Sequence, residues 1–253
     1  MRRLLRSSFL YAFAYFLILE LMVAAAVLYW PWFEDNADKL RSMAPIPFLK
    51  NMIGELEDAG VVGYVLGQQF FKGCNTLGTA AAALFAAGAV AGEVHRGTFE
   101  IWLARPFSRL TILTQRYVAG ALATIVPVFL TTATIPYFAD RVGETMEQVP
   151  LLYCSAHQSL LLLAIYSVTF LMSCLGSQPT RIALIVLFLT TFQFALYMVG
   201  RVTHWSLFRL SDIDDYLRAY NEEALNPSVA IPLAAVSVVC FAASYVAFRR
   251  RVP

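Results

Sequence analysis

The chain of 253 residues is 59% hydrophobic and 14% charged, whereas soluble domains average about 45–50% apolar and about 25% charged residues. The net charge of +2 gives no strongly basic face for nucleic acid. Four cysteines without CxxC spacing and three scattered histidines give no pattern for a zinc module, another metal site or a disulfide framework. This composition predicts an all-α membrane protein.

Six apolar stretches approach the roughly 20 residues that a helix needs to cross a bilayer core of about 30 Å. Backbone amides in lipid must be satisfied within their own segment, so these stretches are expected to be helical. The first stretch is too long for the apolar part of a cleaved signal peptide. The predicted spans lie near residues 9–30, 71–91, 115–138, 156–175, 181–200 and 228–248.

Glu20 lies near the middle of the first predicted span, where an acidic residue costs roughly 2.5–3.5 kcal/mol. Two interpretations are open. Glu20 contacts a substrate or proton inside the helix bundle, or it is hydrogen-bonded to a polar neighbour such as Gln193. Glu20 and Gln193 are therefore the candidate residues of a transport pathway.

Two segments after the first predicted span have patterns of their own. Between Phe48 and Phe71, apolar residues recur at mixed spacings of three and four, which predicts a helix on the outer membrane surface. Residues 78–92, in the second predicted span, are mostly small and allow close approach of another helix backbone. That approach is either within this chain or across a dimer.

The loop at residues 92–109 has the pattern of a short amphipathic helix. Thr98 is a typical N-cap, and Glu100 suits the positive first turn. Pro106 is expected to end the helix after about two turns. The residues on its apolar face are Phe99, Trp102 and Leu103. Flanking arginines, Arg96, Arg105 and Arg109, would also suit a loop that only attracts anionic lipid.

The order of residues in this loop is more specific than its amphipathic pattern. It reads Gly-Glu-x-x-Arg-Gly-Thr-x-Glu-x-x-Leu-x-x-Pro-x-Ser-Arg and is followed by Arg116 and Tyr117. This order resembles the first intracellular loop of ABC-2 type transporter permeases, although Ala104, Arg105 and Phe107 depart from the usual residues before and after the proline. The whole chain, residues 1–253, resembles that family in layout as one transmembrane domain.

The resemblance implies six spans, both termini in the cytoplasm, and a coupling helix that docks onto a separate ATP-binding subunit. It also implies an assembly of two ATP-binding subunits with two permease chains, identical or related, in a bacterial inner membrane, with export as the direction of transport. The residues assigned to coupling are Glu93, Arg96, Gly97, Thr98, Glu100, Trp102, Arg105, Pro106 and Arg109.

This chain has no phosphate-binding loop of its own. Residues 73–78 match the glycine spacing of such a loop, but Thr79 and Ala80 follow where Lys and Ser or Thr are required. Without that lysine the β- and γ-phosphates lack their charge partner. We therefore expect no catalytic residues and no cofactor in this chain, with ATP and Mg²⁺ held by the partner subunit.

The later segments complete the layout and its orientation. Ser211, with Asp214 three residues on, predicts the start of a short outer helix. With the N-terminus inside, the cytoplasmic segments carry eleven arginines against Glu93 and Glu100, whereas the outer segments carry eight basic and fourteen acidic residues. This asymmetry favours both ends inside. An odd number of spans would put the basic Arg249–Arg251 ending outside, so an even number is favoured.

Two other function classes stay open. A secondary transporter independent of ATP would be expected to carry inverted repeats with broken helices, and no internal repeat is visible. An ATP-driven complex that acts mechanically on an extracytoplasmic accessory protein would use the sizeable outer segments for docking. An intramembrane enzyme is disfavoured, because none of the usual nucleophile or metalloprotease motifs is present.

Overall fold

The computed structural model describes residues 2–45, 47–104 and 106–251, except for the side chains of 2–9, 47, 48, 52, 55, 102 and 103. Within those ranges the chain is helical and contains no strand. In chain order the helices are α1 (Arg2–Met43), α2 (Pro47–Asp58), α3 (Gly60–Leu66), α4 (Thr79–Ala89), α5 (Ala91–His95), α6 (Phe99–Leu103), α7 (Arg109–Arg141), α8 (Gln148–Leu175), α9 (Pro179–Tyr197), α10 (Ile213–Glu222) and α11 (Pro227–Arg250). A π-helix, Gly67–Gly78, joins α3 to α4, and 3-10 helices cover Thr203–Trp205 and Leu207–Ser211.

Five of the described helices, α1, α7, α8, α9 and α11, are long and apolar enough to cross a membrane. The predicted span at 71–91 is not one regular α-helix, because the π-helix occupies its first part and α4 has only 11 residues. Two glycines bring neighbours close to this segment. A Cβ atom on Gly67 would lie 2.8 Å from Leu56, and one on Gly78 would lie 3.0 Å from the Tyr15 hydroxyl.

Several helices extend beyond the apolar stretches that were predicted as spans. α1 continues to Met43, and α7 begins at Arg109, directly after its N-cap Ser108. The predicted surface helix is split at Gly60, where φ is +64°, into α2 and α3. The outer helix predicted to start at Ser211 starts at Ile213 instead, with Asp212 as its cap.

Hydrogen bonds between elements fix the direction of the helices. Glu20 bonds to Thr134 and Trp30 bonds to Glu144, so α1 and α7 run parallel. Arg109, at the start of α7, bonds to carbonyls at the end of α11. The loop end of the bundle therefore carries the starts of α1 and α7 and the end of α11. The opposite end, the cap end, carries α2, α10 and the 3-10 helices. α8 is the central helix and packs against α4, α7, α10 and α11.

Candidate functional site

Residues 90–108 form two short helices at the loop end. Val90, with φ of −118°, ends α4, and α5 follows directly. The chain then turns at Gly97, whose φ of +66° lies in the left-handed region that favours glycine. After α6, Ser108 starts α7 by accepting a hydrogen bond from the Thr111 N–H at 3.1 Å. The predicted short helix is present, but it has five residues where about two turns were expected.

Glu93 is the hub of this loop. One carboxylate oxygen accepts hydrogen bonds from Arg96 at 3.0 Å and from Arg116 of α7 at 3.1 Å. The other accepts the Thr98 hydroxyl at 2.6 Å. Thr98 occupies the N-cap position of α6, as predicted, but its hydroxyl bonds to Glu93 and not to an α6 amide. Glu93 is only 5% exposed, so it fixes the loop to the bundle from inside.

The surroundings of Glu93 keep its carboxyl group ionised. Burial alone would raise its pKa, but the Thr98 hydroxyl and the Arg116 and Arg96 guanidinium groups outweigh burial and hold the pKa below its ordinary value. The Arg96 side chain is 52% exposed and that of Arg116 is 27% exposed. Arg96 thus connects a buried anion to the loop surface.

α6 packs on the end of α11 through an aromatic contact. Phe99 is buried, and its ring meets that of Phe248 edge to face with centroids 5.9 Å apart. The Arg251 guanidinium lies over the Phe99 ring, 5.7 Å from its centroid. The position of α6 is therefore coupled directly to α11, whose sequence is distant from this loop.

Two arginines cap helix carboxyl ends beside α6. Arg109 donates to the carbonyl groups of Phe248, Arg249 and Arg251 at 3.3, 2.9 and 3.0 Å. Arg251 donates to those of Cys174 and Gly176, after α8, at 2.7 and 2.8 Å. Cations at these positions satisfy orphan carbonyls and offset the negative helix dipole. The predicted site residue Arg109 thus contacts α11 rather than solvent alone.

Beyond Arg96, the exposed part of the loop includes two large apolar side chains and one acidic residue. Ile101 is 69% exposed and Phe107 is 56% exposed. Glu100 and Pro106, both predicted coupling residues, are exposed on the same loop. Arg105 and the side chain of Trp102, which were also predicted, lie outside the described residues. The described members of the predicted set thus divide into an inner group that anchors the loop and an outer group that faces solvent.

The family model described as "Protein of unknown function (DUF2705)" matches residues 21–251, nearly the whole chain. The chain belongs to this family. The match includes the loop and all helices from α2 onward. Its description gives no activity. No curated protein matches the chain in sequence.

A contact between α8 and the break from α4 to α5 was not predicted from the sequence. The Ser173 hydroxyl of α8 accepts hydrogen bonds from the Val90 and Ala91 N–H groups at 3.1 and 2.9 Å, and it donates to the Ala87 carbonyl at 2.8 Å. All four residues are buried. Ser173 therefore satisfies the backbone groups that the break between α4 and α5 releases. A serine within an apolar helix was the only signal in the sequence.

The two predicted pathway residues do not meet. Glu20 is partly buried and accepts a hydrogen bond from the Thr134 hydroxyl of α7 at 3.2 Å. Gln193, near the end of α9, accepts the Leu207 N–H at 2.9 Å through its side chain. Glu20 is therefore hydrogen-bonded to a polar neighbour, as one interpretation expected, but that neighbour is Thr134 and not Gln193. Gln193 holds a 3-10 helix at the cap end, while Glu20 joins α1 to α7.

A buried polar group at the cap end, here called the cap cluster, consists of Asn75, Gln158, Ser211 and Tyr216. Gln158 donates to the Asn75 side-chain carbonyl at 3.0 Å, and Ser211 donates to the same oxygen at 3.1 Å. Tyr216 bonds to both Gln158 and Ser211. All four are at most 1% exposed. The cap cluster thus joins the π-helix and α8 to the segment at residues 207–222.

Proposed function

We propose that this chain is the transmembrane permease subunit of an ABC transporter of the ABC-2 type, and that it exports its substrate using ATP hydrolysed on a separate subunit. The observation that carries the proposal is the loop at 90–108. Its motif resembles that family's coupling loop, and Glu93 anchors it so that Ile101 and Phe107 face solvent. An anchored loop with an exposed apolar face is suited to receive force from a docked partner.

The proposed layout has six spans. Residues 60–89 would supply the span between α1 and α7, because they are helical throughout, exceed the roughly 20 residues required, and include one charged residue, Lys72. With six spans, the loop end would face the cytoplasm, where its arginines satisfy the positive-inside preference. The protein would then be integral to the bacterial inner membrane.

The contacts around α6 suggest how force would be transmitted. Two ATP-binding subunits, which hold ATP and Mg²⁺, would dock beneath two permease chains, identical or related. A displacement of α6 would reach α11 through Phe99 and α7 through Glu93 and Arg116. ATP would shift the conformational equilibrium only in so far as the docked subunits bind the two states with different affinities.

The proposal is tested by co-purifying the chain with the ATP-binding protein encoded nearest to it in the genome. Ile101→Asp should reduce recovery of that protein about tenfold, because it places a charge in an apolar contact. Val199→Asp is the matched control, since Val199 is also exposed but lies at the cap end after α9. If Ile101→Asp recovers the ATP-binding protein and its ATPase activity as well as the wild type does, the proposal is wrong.

A second candidate is an ATP-driven complex that acts mechanically on an extracytoplasmic protein. The observation that favours it is the cap end, where the cap cluster holds residues 207–222 firmly against the bundle. A tightly held outer surface would transmit a movement of α8 to a docked protein. Capture of an outer partner, with no solute moved in vesicles, would select this function over export.

A further inference from the structure

A groove at the loop end lies between the last turns of α8 and α11. Its volume is about 580 Å³. Leu175 and Val246 on its walls are 68% and 48% exposed, so the groove opens sideways from the bundle. From Ala243 to Arg250 it extends about 10 Å along α11, which is less than one leaflet of a bilayer core. The residues that line it are mostly apolar, with two arginines: Leu171, Cys174, Leu175, Ala243, Val246, Ala247, Arg250 and Arg251.

The lining of the groove is positively charged. Arg250 is exposed and makes no hydrogen bond or ion pair within the part of the chain that the structure describes. The carboxyl ends of α8 and α11 would repel an anion through their dipoles, but Arg251 and Arg109 cover those ends. Among the described residues that line the groove, none is acidic. Arg250 is therefore an exposed cation of the groove lining that no described carboxylate compensates.

We propose that this groove binds an anionic phospholipid of the inner leaflet, with an acyl chain along α8 and α11 and the phosphate on Arg250. The sideways opening favours a lipid over a soluble ligand, because the apolar walls are contiguous with the hydrocarbon that surrounds a spanning helix. The planar guanidinium matches a phosphate in two-point geometry. Basic pockets between transmembrane helices on the cytoplasmic side are suited to such headgroups. The inference rests on the membrane-spanning part of the proposed function and not on the ATP-binding partner.

The test is a titration of the purified chain in neutral detergent with phosphatidylglycerol, followed by native mass spectrometry. Phosphatidylcholine with the same acyl chains provides the neutral comparison and should bind more weakly. Arg250→Gln should weaken phosphatidylglycerol binding about fivefold, as expected for one basic residue at a membrane surface. Arg249→Gln is the matched control, because it removes the same charge beside the groove without changing its lining. It should change binding less than twofold.

The apolar part of the groove, where the acyl chain would lie, is tested separately. Ala247→Phe fills the groove and should weaken binding of both lipids, whereas Ala242→Phe on the exposed side of α11 should not. Equal losses in Arg249→Gln and Arg250→Gln, no loss in Ala247→Phe, or displacement of lipid by inorganic phosphate alone would each overturn the proposal. So would loss of the ATP-binding protein in Arg250→Gln with lipid binding unchanged. The Ile101→Asp test can fail while this titration succeeds, so the two failures are distinguishable.

Discussion

Glu93 joins three separate pieces of the loop end with a single carboxylate. It holds Arg96 on its own turn, Thr98 before α6 and Arg116 on α7. The two arginines are partly exposed, so solvent screens their attraction. The hydrogen bond from Thr98 and the burial of Glu93 itself make loss of the carboxylate more costly than loss of a surface ion pair.

Glu93→Ala should therefore loosen the loop by about 1–2 kcal/mol. That change would raise the rate of tryptic cleavage at the exposed Arg96 about tenfold, because cleavage follows the population of the open loop. Glu100→Ala is the control, since Glu100 is exposed on the same loop. Equal cleavage rates in the two variants would show that Glu93 is not the anchor.

The same anchor should depend on pH. Because folding lowers the pKa of Glu93, its stabilising effect is complete above the ordinary glutamate value of about 4.3 and is lost as the pH falls from there through the lower folded value. Hydrogen exchange of the Thr98 amide should therefore show loss of protection in acid. In Glu93→Gln that loss should be absent, and an unchanged acid dependence would assign it to another group.

At the scale of elements, the joint between α4 and α5 depends on Ser173. The break at Val90 releases backbone groups inside the bundle, and one hydroxyl satisfies three of them. This arrangement lets the helix axis change direction before the loop without leaving buried amides unsatisfied. It connects α8, the central helix, directly to the base of the loop.

Ser173→Ala should lower the thermal midpoint in detergent by on the order of 5–10 °C, because two buried N–H groups lose their acceptor at about 1–3 kcal/mol each. Ser159→Ala is the matched control. Ser159 is also buried on α8, but its hydroxyl makes no hydrogen bond among the described residues. Equal shifts in the two variants would contradict the role assigned to Ser173.

Local signals in the sequence predicted most of the helices but few of the contacts between them. The apolar stretch near 228–248 predicted α11, which begins at Pro227 with the Asn226 side chain accepting the Ser228 N–H at 3.1 Å. The π-helix had no such signal, because its environment depends on neighbours such as Leu56 and Tyr15 that come from other elements. The contact of Phe99 with Phe248 likewise joins residues far apart in the chain, and their spacing carries no periodic pattern.

At the scale of the whole molecule, the two ends are held by different chemistry. Arginines and helix carboxyl ends dominate the loop end, whereas uncharged side chains form the cap cluster. The thiols of Cys74 and Cys154 are buried near this cluster, and that of Cys154 donates to the Tyr216 carbonyl. Any outward opening of the bundle would have to separate these groups, so the native cysteines report on it.

Gln158→Leu should speed labelling of Cys74 and Cys154 by a maleimide that cannot cross the membrane, by about tenfold, because it removes the central partner of the cap cluster. Gln68→Leu is the control, since the Gln68 amide bonds to the exposed Lys72. Cys174 and Cys240 are replaced by serine in both variants so that only the two reporter thiols react. Labelling that stays slow in Gln158→Leu would show that the cap cluster does not close this end.

The contact between Phe99 and Phe248 implies an order in which the two supports of the loop form. In the proposed membrane protein, helices inserted in chain order would give Glu93 its contact with Arg116 once α7 is in place, whereas the surface beneath α6 would form only after α11 is inserted. A chain that has inserted α1 to α9 thus holds its loop at one point and lacks the other support. In the proposed complex, the surface around α6 that would meet the ATP-binding subunit is completed last, so a partner that requires a fixed α6 would select fully inserted chains.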